Sequence, residues 1–339
     1  MKQLTLLLPG IILLFIVSCK PKTGAKESFK NYEQLDDSVM VFYQNEQWGK
    51  AIQLLEKHMN QFPEKQYESE WALIVLHTCA KQYSEALKVI KKGNEKNNWY
   101  GISPDSELFK PLQKLEGYAS IIAKNNHLKQ LAKEKSKPQS IIDLPSNYTH
   151  DRKYPLFIAL HGWGEDVPFF KKFWHSELLK KEYIVLFVQS SQVANMKGFA
   201  WTDTKLAQKE ITNAYRDILD KYAINENQVI IGGFSQGAST SLNLCLQNRI
   251  PVRGFISLCP GKPESFTPDL VKEMNNRKLR GVILTGEFDN SLEQQKEMMA
   301  QFKSLDFPCS FTIEKNISHW FPDDLNKKIE EGISYILKQ

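Results

Sequence analysis

The chain has 339 residues, long enough for two domains at roughly 100–200 residues each. Hydrophobic residues make up 42% and charged residues 24%, close to the average for folded globular proteins, which excludes a polytopic membrane protein, a collagen-like fibre and a largely disordered chain. Lys+Arg 44 against Asp+Glu 39 leaves a formal charge of +5; without a dense basic block, that balance argues against nucleic acid as a partner.

Met1-Lys2 is followed by an apolar run from Leu4 to Val17, broken by Thr5, Pro9 and Gly10. The run is short of the roughly 20 residues a helix needs to cross a bilayer and suits the apolar region of a signal peptide. It ends in Ile16-Val17-Ser18-Cys19, which resembles a bacterial lipobox, where a branched apolar and a small residue precede a lipid-acceptor cysteine. The resemblance implies that residues 1–18 are removed, that Cys19 is acylated, and that residues 19–27 tether an exported protein to a membrane, on its periplasmic or cell-surface face. The two or three acyl chains of a bacterial lipoprotein are what stable anchoring requires. An ordinary cleaved signal peptide with a chance cysteine is the alternative. The remaining cysteines, Cys79, Cys245, Cys259 and Cys309, lie in apolar segments without a close pair, so buried free thiols are expected, and no Cys/His cluster has metal-ligand spacing.

Residues 28–135 show helical periodicity and almost no strand signal. Trp48-x-x-Ala51-x-x-x-Leu55 is followed by Pro63, and Tyr83-x-x-Ala86-x-x-x-Ile90 echoes it, with Ala51 and Ala86 35 residues apart. The pattern resembles the tetratricopeptide repeat, with a period of about 34, although Asn98 stands where the second unit should have its Pro. A third helical stretch is expected from Leu108 to Leu131, with Leu112, Leu115, Tyr118 and Ile122 on one face, capping the two hairpins. Such a domain offers a docking surface for a protein or polymer, or serves as a spacer. The domain boundary is placed in the charged stretch from Lys133 to Pro138.

Beyond it, over residues 136–339, short apolar runs alternate with amphipathic helices. Strands are expected near 140–144, 156–160, 184–188, 229–232, 254–258, 281–285 and 310–314. Helices are expected near 168–180, 205–222, 237–247, 268–276, 292–304 and 323–337. Continuous runs such as Val229-Ile230-Ile231 and Val282-Ile283-Leu284 suit strands covered on both faces, hence an α/β domain with a mainly parallel sheet flanked by helices. Catalytic groups in such sheets belong at the carboxyl ends of the strands.

The strand at 229–232 runs into Gly233-Phe234-Ser235-Gln236-Gly237, followed by a helix. A Gly-x-Ser-x-Gly at a strand-to-helix turn projects the serine hydroxyl above the sheet, making Ser235 the expected nucleophile, and the Gln236 N–H at the helix start an expected oxyanion donor. A phosphate loop is excluded because Ala238-Ser239 follows where Lys-Ser/Thr is needed. In this motif the chain order is serine, acid, histidine. Of the seven histidines, His319 alone follows Ser235, so it is the expected base. Among the acids between them, Asp289 in Gly286-Glu287-Phe288-Asp289 directly follows an expected strand, with Glu287 as rival. His161-Gly162-Trp163-Gly164 ends an earlier strand, the position from which the second oxyanion donor comes; the Trp163 N–H is the choice, with His161 a structural hydrogen bonder.

These pieces together resemble the α/β-hydrolases, in particular the compact phospholipase/carboxylesterase branch that includes acyl-protein thioesterases. The matching motifs are His161-Gly162-x-Gly164, Gly233-x-Ser235-Gln236-Gly237, Gly286-x-x-Asp289 and Ser318-His319, over about 200 of the 339 residues. The stretch from Gln189-Ser190-Ser191-Gln192 to Trp201-x-Asp203 resembles the loop that lines the acyl or alcohol pocket in that branch, which implies Gln189 and Trp201 as pocket residues. The resemblance implies a serine ester hydrolase that needs no cofactor and no metal. A peptidase acting on short peptides, or a non-catalytic fold used as a binding scaffold, are the competing readings.

Overall fold

The computed structural model describes residues 28–338. The expected signal peptide, Cys19 and the tether lie outside the described residues. Among the described residues no helix is long and apolar enough to cross a membrane. The chain divides into two compact units between Lys135 and Ser136.

The first unit is helical: α1 (Tyr32–Gln44), α2 (Trp48–His58), α3 (Gln66–Cys79), α4 (Tyr83–Glu95) and α5 (Tyr118–Lys135), each packing on the next in sequence. Asn31 opens α1 by accepting the Gln34 N–H at 3.1 Å, a side-chain cap for a helix start. Trp48 and Tyr83 begin α2 and α4, and Ala51 and Ala86 are fully buried there, where a small side chain lets neighbouring helices approach. The turns before these two helices repeat as well. Glu46 and Lys81 have φ of +55° and +60°, and the N–H groups of Gln47 and Gln82 reach back to Phe42 O and His77 O at 2.9 and 2.8 Å.

The helix expected over 108–131 is displaced. Lys110–Lys114 forms a short 3-10 segment instead, Gly117 has φ +78°, and α5 starts only at Tyr118. Pro111 and the left-handed Gly117 interrupt an α-helical hydrogen-bond ladder. Leu112 and Leu115 therefore do not share a helical face with Tyr118 and Ile122, although all four feed one apolar cluster.

The second unit contains a seven-stranded sheet built from β1 (Gln139–Asp143), β2 (Tyr154–Leu160), β3 (Ile184–Gln189), β6 (Ile224–Phe234), β7 (Gly254–Leu258), β8 (Arg280–Gly286) and β9 (Cys309–Glu314), in the order β1-β3-β2-β6-β7-β8-β9. All neighbours run parallel except β1, which lies antiparallel on the edge beside β3. A separate two-stranded hairpin, β4 (Gln192–Val193) with β5 (Phe199–Ala200), was not expected; two-residue strands leave no periodicity to read. The helices are α6 (Val167–Phe170), α7 (Glu177–Glu182), α8 (Thr204–Lys221), α9 (Gln236–Leu246), α10 (Pro268–Asn276), α11 (Leu292–Ser304) and α12 (Leu325–Leu337).

Adjacent residues of β7 show why the strands read as continuous apolar runs. Phe255 packs on Phe302 of α11, while Ile256 lies beneath Gly332 of α12. Both faces of the sheet are covered. The single helix expected over 168–180 is two short ones, because Asp166 and Ser176 each cap a new start, accepting from Phe169 N at 2.8 Å and Leu179 N at 3.1 Å. Cys79, Cys245, Cys259 and Cys309 are free thiols, with Cys245 and Cys259 buried.

Candidate active site

Ser235 sits between β6 and α9 with φ +53° and ψ −115°, a conformation that costs a non-glycine residue about 1–3 kcal/mol. Its neighbours impose it. A Cβ at Gly237 would stand 2.3 Å from Leu160 O and 2.4 Å from His161 O, and one at Gly233 2.5 Å from Leu160 O. The turn is pressed against the end of β2, and only glycine fits at both places. The Ser235 N–H donates to Leu258 O at 2.8 Å, fixing the turn to the end of β7 as well.

His319 lies on the loop between β9 and α12. A Cβ at Gly286 would stand 2.1 Å from Ser318 O and 2.3 Å from Ile317 O, so the glycine that ends β8 allows this loop to lie directly over it. Phe288 N–H donates to Ile317 O at 2.9 Å. In this position His319 Nε2 is 2.7 Å from Ser235 Oγ and His319 Nδ1 is 2.9 Å from Asp289 Oδ2. The three expected residues, from three different connections, form one hydrogen-bonded chain. Glu287, the rival acid, is exposed and accepts the Asn316 N–H at 3.1 Å.

The Asp289 side chain is fully buried. Burial pushes its carboxyl upward, but hydrogen bonds from His319, from the Cys259 thiol and from Ser291 N–H outweigh it and hold the group below the usual carboxylate value. Ser291 N–H meets Oδ1 at 2.6 Å. An ionised Asp289 fixes the proton of His319 on Nδ1, leaving Nε2 as acceptor toward Ser235. Cys259, at the end of β7 with φ +54°, was not singled out in the sequence. Its sulfur, the Asp289 carboxylate and the His319 ring lie within 4.8 Å of one another. Burial and the adjacent carboxylate push the thiol well above its ordinary value, and it donates to Asp289.

Trp163 and Gln236 occupy the two places expected of oxyanion donors, the loop after β2 and the first residue of α9. The Gln236 side chain accepts the Trp201 N–H at 2.8 Å. His161 is fully buried, and desolvation pushes its imidazole down to about 4; the neutral ring donates from Nδ1 to Gly162 O at 2.7 Å and accepts the Ser190 N–H at Nε2, 3.3 Å away. Its role is structural.

The two expected pocket residues are used differently. Trp201 is buried in the core, stacks on His161 at 4.8 Å and donates its indole N–H to His161 O at 2.9 Å; it supports the loop after β2 from behind. Gln189 is buried, and its amide oxygen accepts the Val167 N–H at 3.1 Å. It borders a cavity of about 230 Å³ with Gln139, Ile141, Asp166, Val167, Pro168 and Phe199. Both side chains satisfy buried backbone groups, a demand that is invisible in one dimension. The apolar surroundings of His319 come instead from Phe234, whose ring centroid is 5.2 Å away, and from Trp320 and Phe321, which pack on Phe234 and in turn on Phe173.

Residues 148–301 match the family model described as Phospholipase/Carboxylesterase. The unit that contains them has the α/β-hydrolase fold. The chain is also similar to an uncharacterized protein from Bacillus cereus ATCC 10987, 27% identical with a TM-score of 0.51, over 91% of this chain and 99% of that one; a match of that length extends beyond the hydrolase unit into the helical one. Esterase PE8 is 16% identical with a TM-score of 0.48, covering 59% of this chain and 100% of its own. A ferulic acid esterase is 15% identical with a TM-score of 0.46, over 60% and 98% respectively. No curated protein is significantly similar to this chain.

Proposed function

We propose that the protein is a serine ester hydrolase whose nucleophile is Ser235, base His319 and acid Asp289. The observation that carries the reading is the unbroken chain from Ser235 Oγ through His319 to Asp289, at 2.7 and 2.9 Å. Ser235 Oγ attacks the ester carbonyl as His319 Nε2 takes its proton. The tetrahedral oxyanion meets the N–H groups of Trp163 and Gln236, and the proton passes to the departing alcohol. The acyl group is left on Ser235. Water, deprotonated by His319, then releases the acid and restores the serine.

The Ile16-Val17-Ser18-Cys19 motif supports an anchored lipoprotein. The repeated turns of the helical unit, 35 residues apart at Glu46 and Lys81, support a tetratricopeptide-like surface that brings a large substrate or partner to the enzyme. The test of the catalytic reading is fluorophosphonate labelling, paired with a panel of chromogenic esters and aminoacyl anilides. Wild type should label and hydrolyse esters, and Ser235→Ala should do neither. Faster turnover of the anilides would make the protein a peptidase, and absence of both labelling and turnover would make it a scaffold.

A further inference from the structure

The loop after β2 carries an acid that the triad does not use. Glu165 is 5% exposed, and its carboxyl folds back over three residues so that Oε2 accepts the Gly162 N–H at 2.7 Å. The space it fills is closed: a Cβ at Gly162 would stand 2.9 Å from the Phe234 ring and 3.0 Å from Glu165 Oε2.

Following each backbone N–H along this loop shows what the contact achieves. Gly162 N–H goes to Glu165 Oε2. Gly164 N–H goes to Phe199 O at 2.8 Å, and Glu165 N–H reaches Gly162 O at 3.4 Å. The carbonyls on either side of Trp163 are held too: Gly162 O accepts from His161 Nδ1 and Gly164 O from the Asn195 side chain at 3.2 Å, and further along Glu165 O accepts from Phe199 N–H at 2.9 Å. Between Gly162 and Glu165, the Trp163 N–H is the one donor with no acceptor among the described residues. Trp163 itself is half-buried, so its N–H, with the donors on either side of it bonded within the protein, is the group this loop leaves available to a bound partner.

We propose that Glu165 is a positioning residue for ester hydrolysis, pinning the Gly162 N–H so that the Trp163 N–H alone is held out for the oxyanion. This rests on the serine-hydrolase reading above. Burial, with a smaller push from Asp166, raises the Glu165 carboxyl to about 8, so at neutral pH it is an uncharged acceptor. That suits its place, since a negative charge beside the developing oxyanion would oppose it. A glutamine offers the same neutral acceptor at the same reach.

The experiment compares wild type with Glu165→Gln, Glu165→Asp and Glu165→Leu in the full chain, using p-nitrophenyl acetate at pH 7, with thermal unfolding as the check on folding. Glu165→Gln should keep kcat within about threefold. Glu165→Asp, whose carboxyl is one methylene short of Gly162, and Glu165→Leu should lose kcat by about 10²-fold, the usual effect of losing one oxyanion donor, with KM nearly unchanged. Affinity for a trifluoromethyl ketone, which forms a tetrahedral adduct on serine, should fall in parallel with kcat/KM. Wild-type kcat in folded Glu165→Asp, equal damage from Glu165→Gln and Glu165→Asp, or a loss confined to KM would each overturn the proposal. Glu165→Asp keeps the site polar if Glu165→Leu fails to fold. Ser235→Ala is run alongside: a wild type that neither labels nor turns over refutes the catalytic reading itself, whereas labelling and turnover with an insensitive Glu165 series refutes only the positioning role.

Discussion

Replacing Asp289 by Asn changes one atom and should nearly silence the enzyme. Three donors converge on this carboxylate: His319 Nδ1–H at Oδ2, Ser291 N–H at Oδ1, and the Cys259 thiol. An asparagine has one oxygen to offer. With Ser291 N–H only 2.6 Å from the Oδ1 position, the amide oxygen is held there, and the NH₂ group falls opposite His319. His319 must then accept at Nδ1 and carry its proton on Nε2, 2.7 Å from Ser235 Oγ, where a base is required. The loss expected from such a tautomer reversal is on the order of 10⁴ in kcat, equivalent to about 5.5 kcal/mol of transition-state stabilisation, with KM little altered. Steady-state kinetics on a chromogenic ester would measure it, and thermal unfolding would confirm that the fold survives. A folded Asp289→Asn within tenfold of wild type would refute this assignment, as would greater damage from Glu287→Gln, whose carboxylate holds only the Asn316 N–H.

The buried neutral His161 makes the stability of the second unit pH-dependent. Unfolded, the imidazole takes its proton near 6.5, but folded only at about 4; between those values the unfolded state holds more protons, so stability is present above pH 6.5 and lost as pH falls toward 4, by up to about 3 kcal/mol. Chemical denaturation at pH 4.5 and 7 should show this slope in wild type and most of it missing in His161→Gln; identical slopes would exclude His161 as the cause. Every proposed catalytic group lies after Lys135, so a folded 136–339 chain should hydrolyse a small activated ester about as well as the full chain while losing rate on a macromolecular substrate, and equal loss on both would mean that the helical unit shapes the pocket. Wild type should partition with membranes and Cys19→Ala should not; a soluble wild type whose mature N-terminus carries no lipid by mass spectrometry would sink the anchoring proposal.

Much of the hydrolase unit was legible in one dimension because its physics is local or ordered along the chain. Doubly covered parallel strands must be apolar throughout, as at Val229–Ile231 and Val282–Leu284, and a glycine-flanked serine between strand and helix announces its own strained turn. His319 could be chosen because no other histidine follows Ser235. Sequence reading failed where an apolar pattern served the core without being helical, as at Leu112 and Leu115, and where polar side chains bond to groups distant in the chain. Gln189 and Trp201 are spent on the Val167 N–H and His161 O, and Cys259 donates to an acid thirty positions away. Glu165 is the sharpest case. Its partner is only three residues back, yet nothing in His161-Gly162-Trp163-Gly164-Glu165 says that the loop will close on itself. That depended on Phe199 of β5 pairing with Glu165 and on Phe234 closing over Gly162, which bury these two residues; a buried N–H must find its partner within the protein.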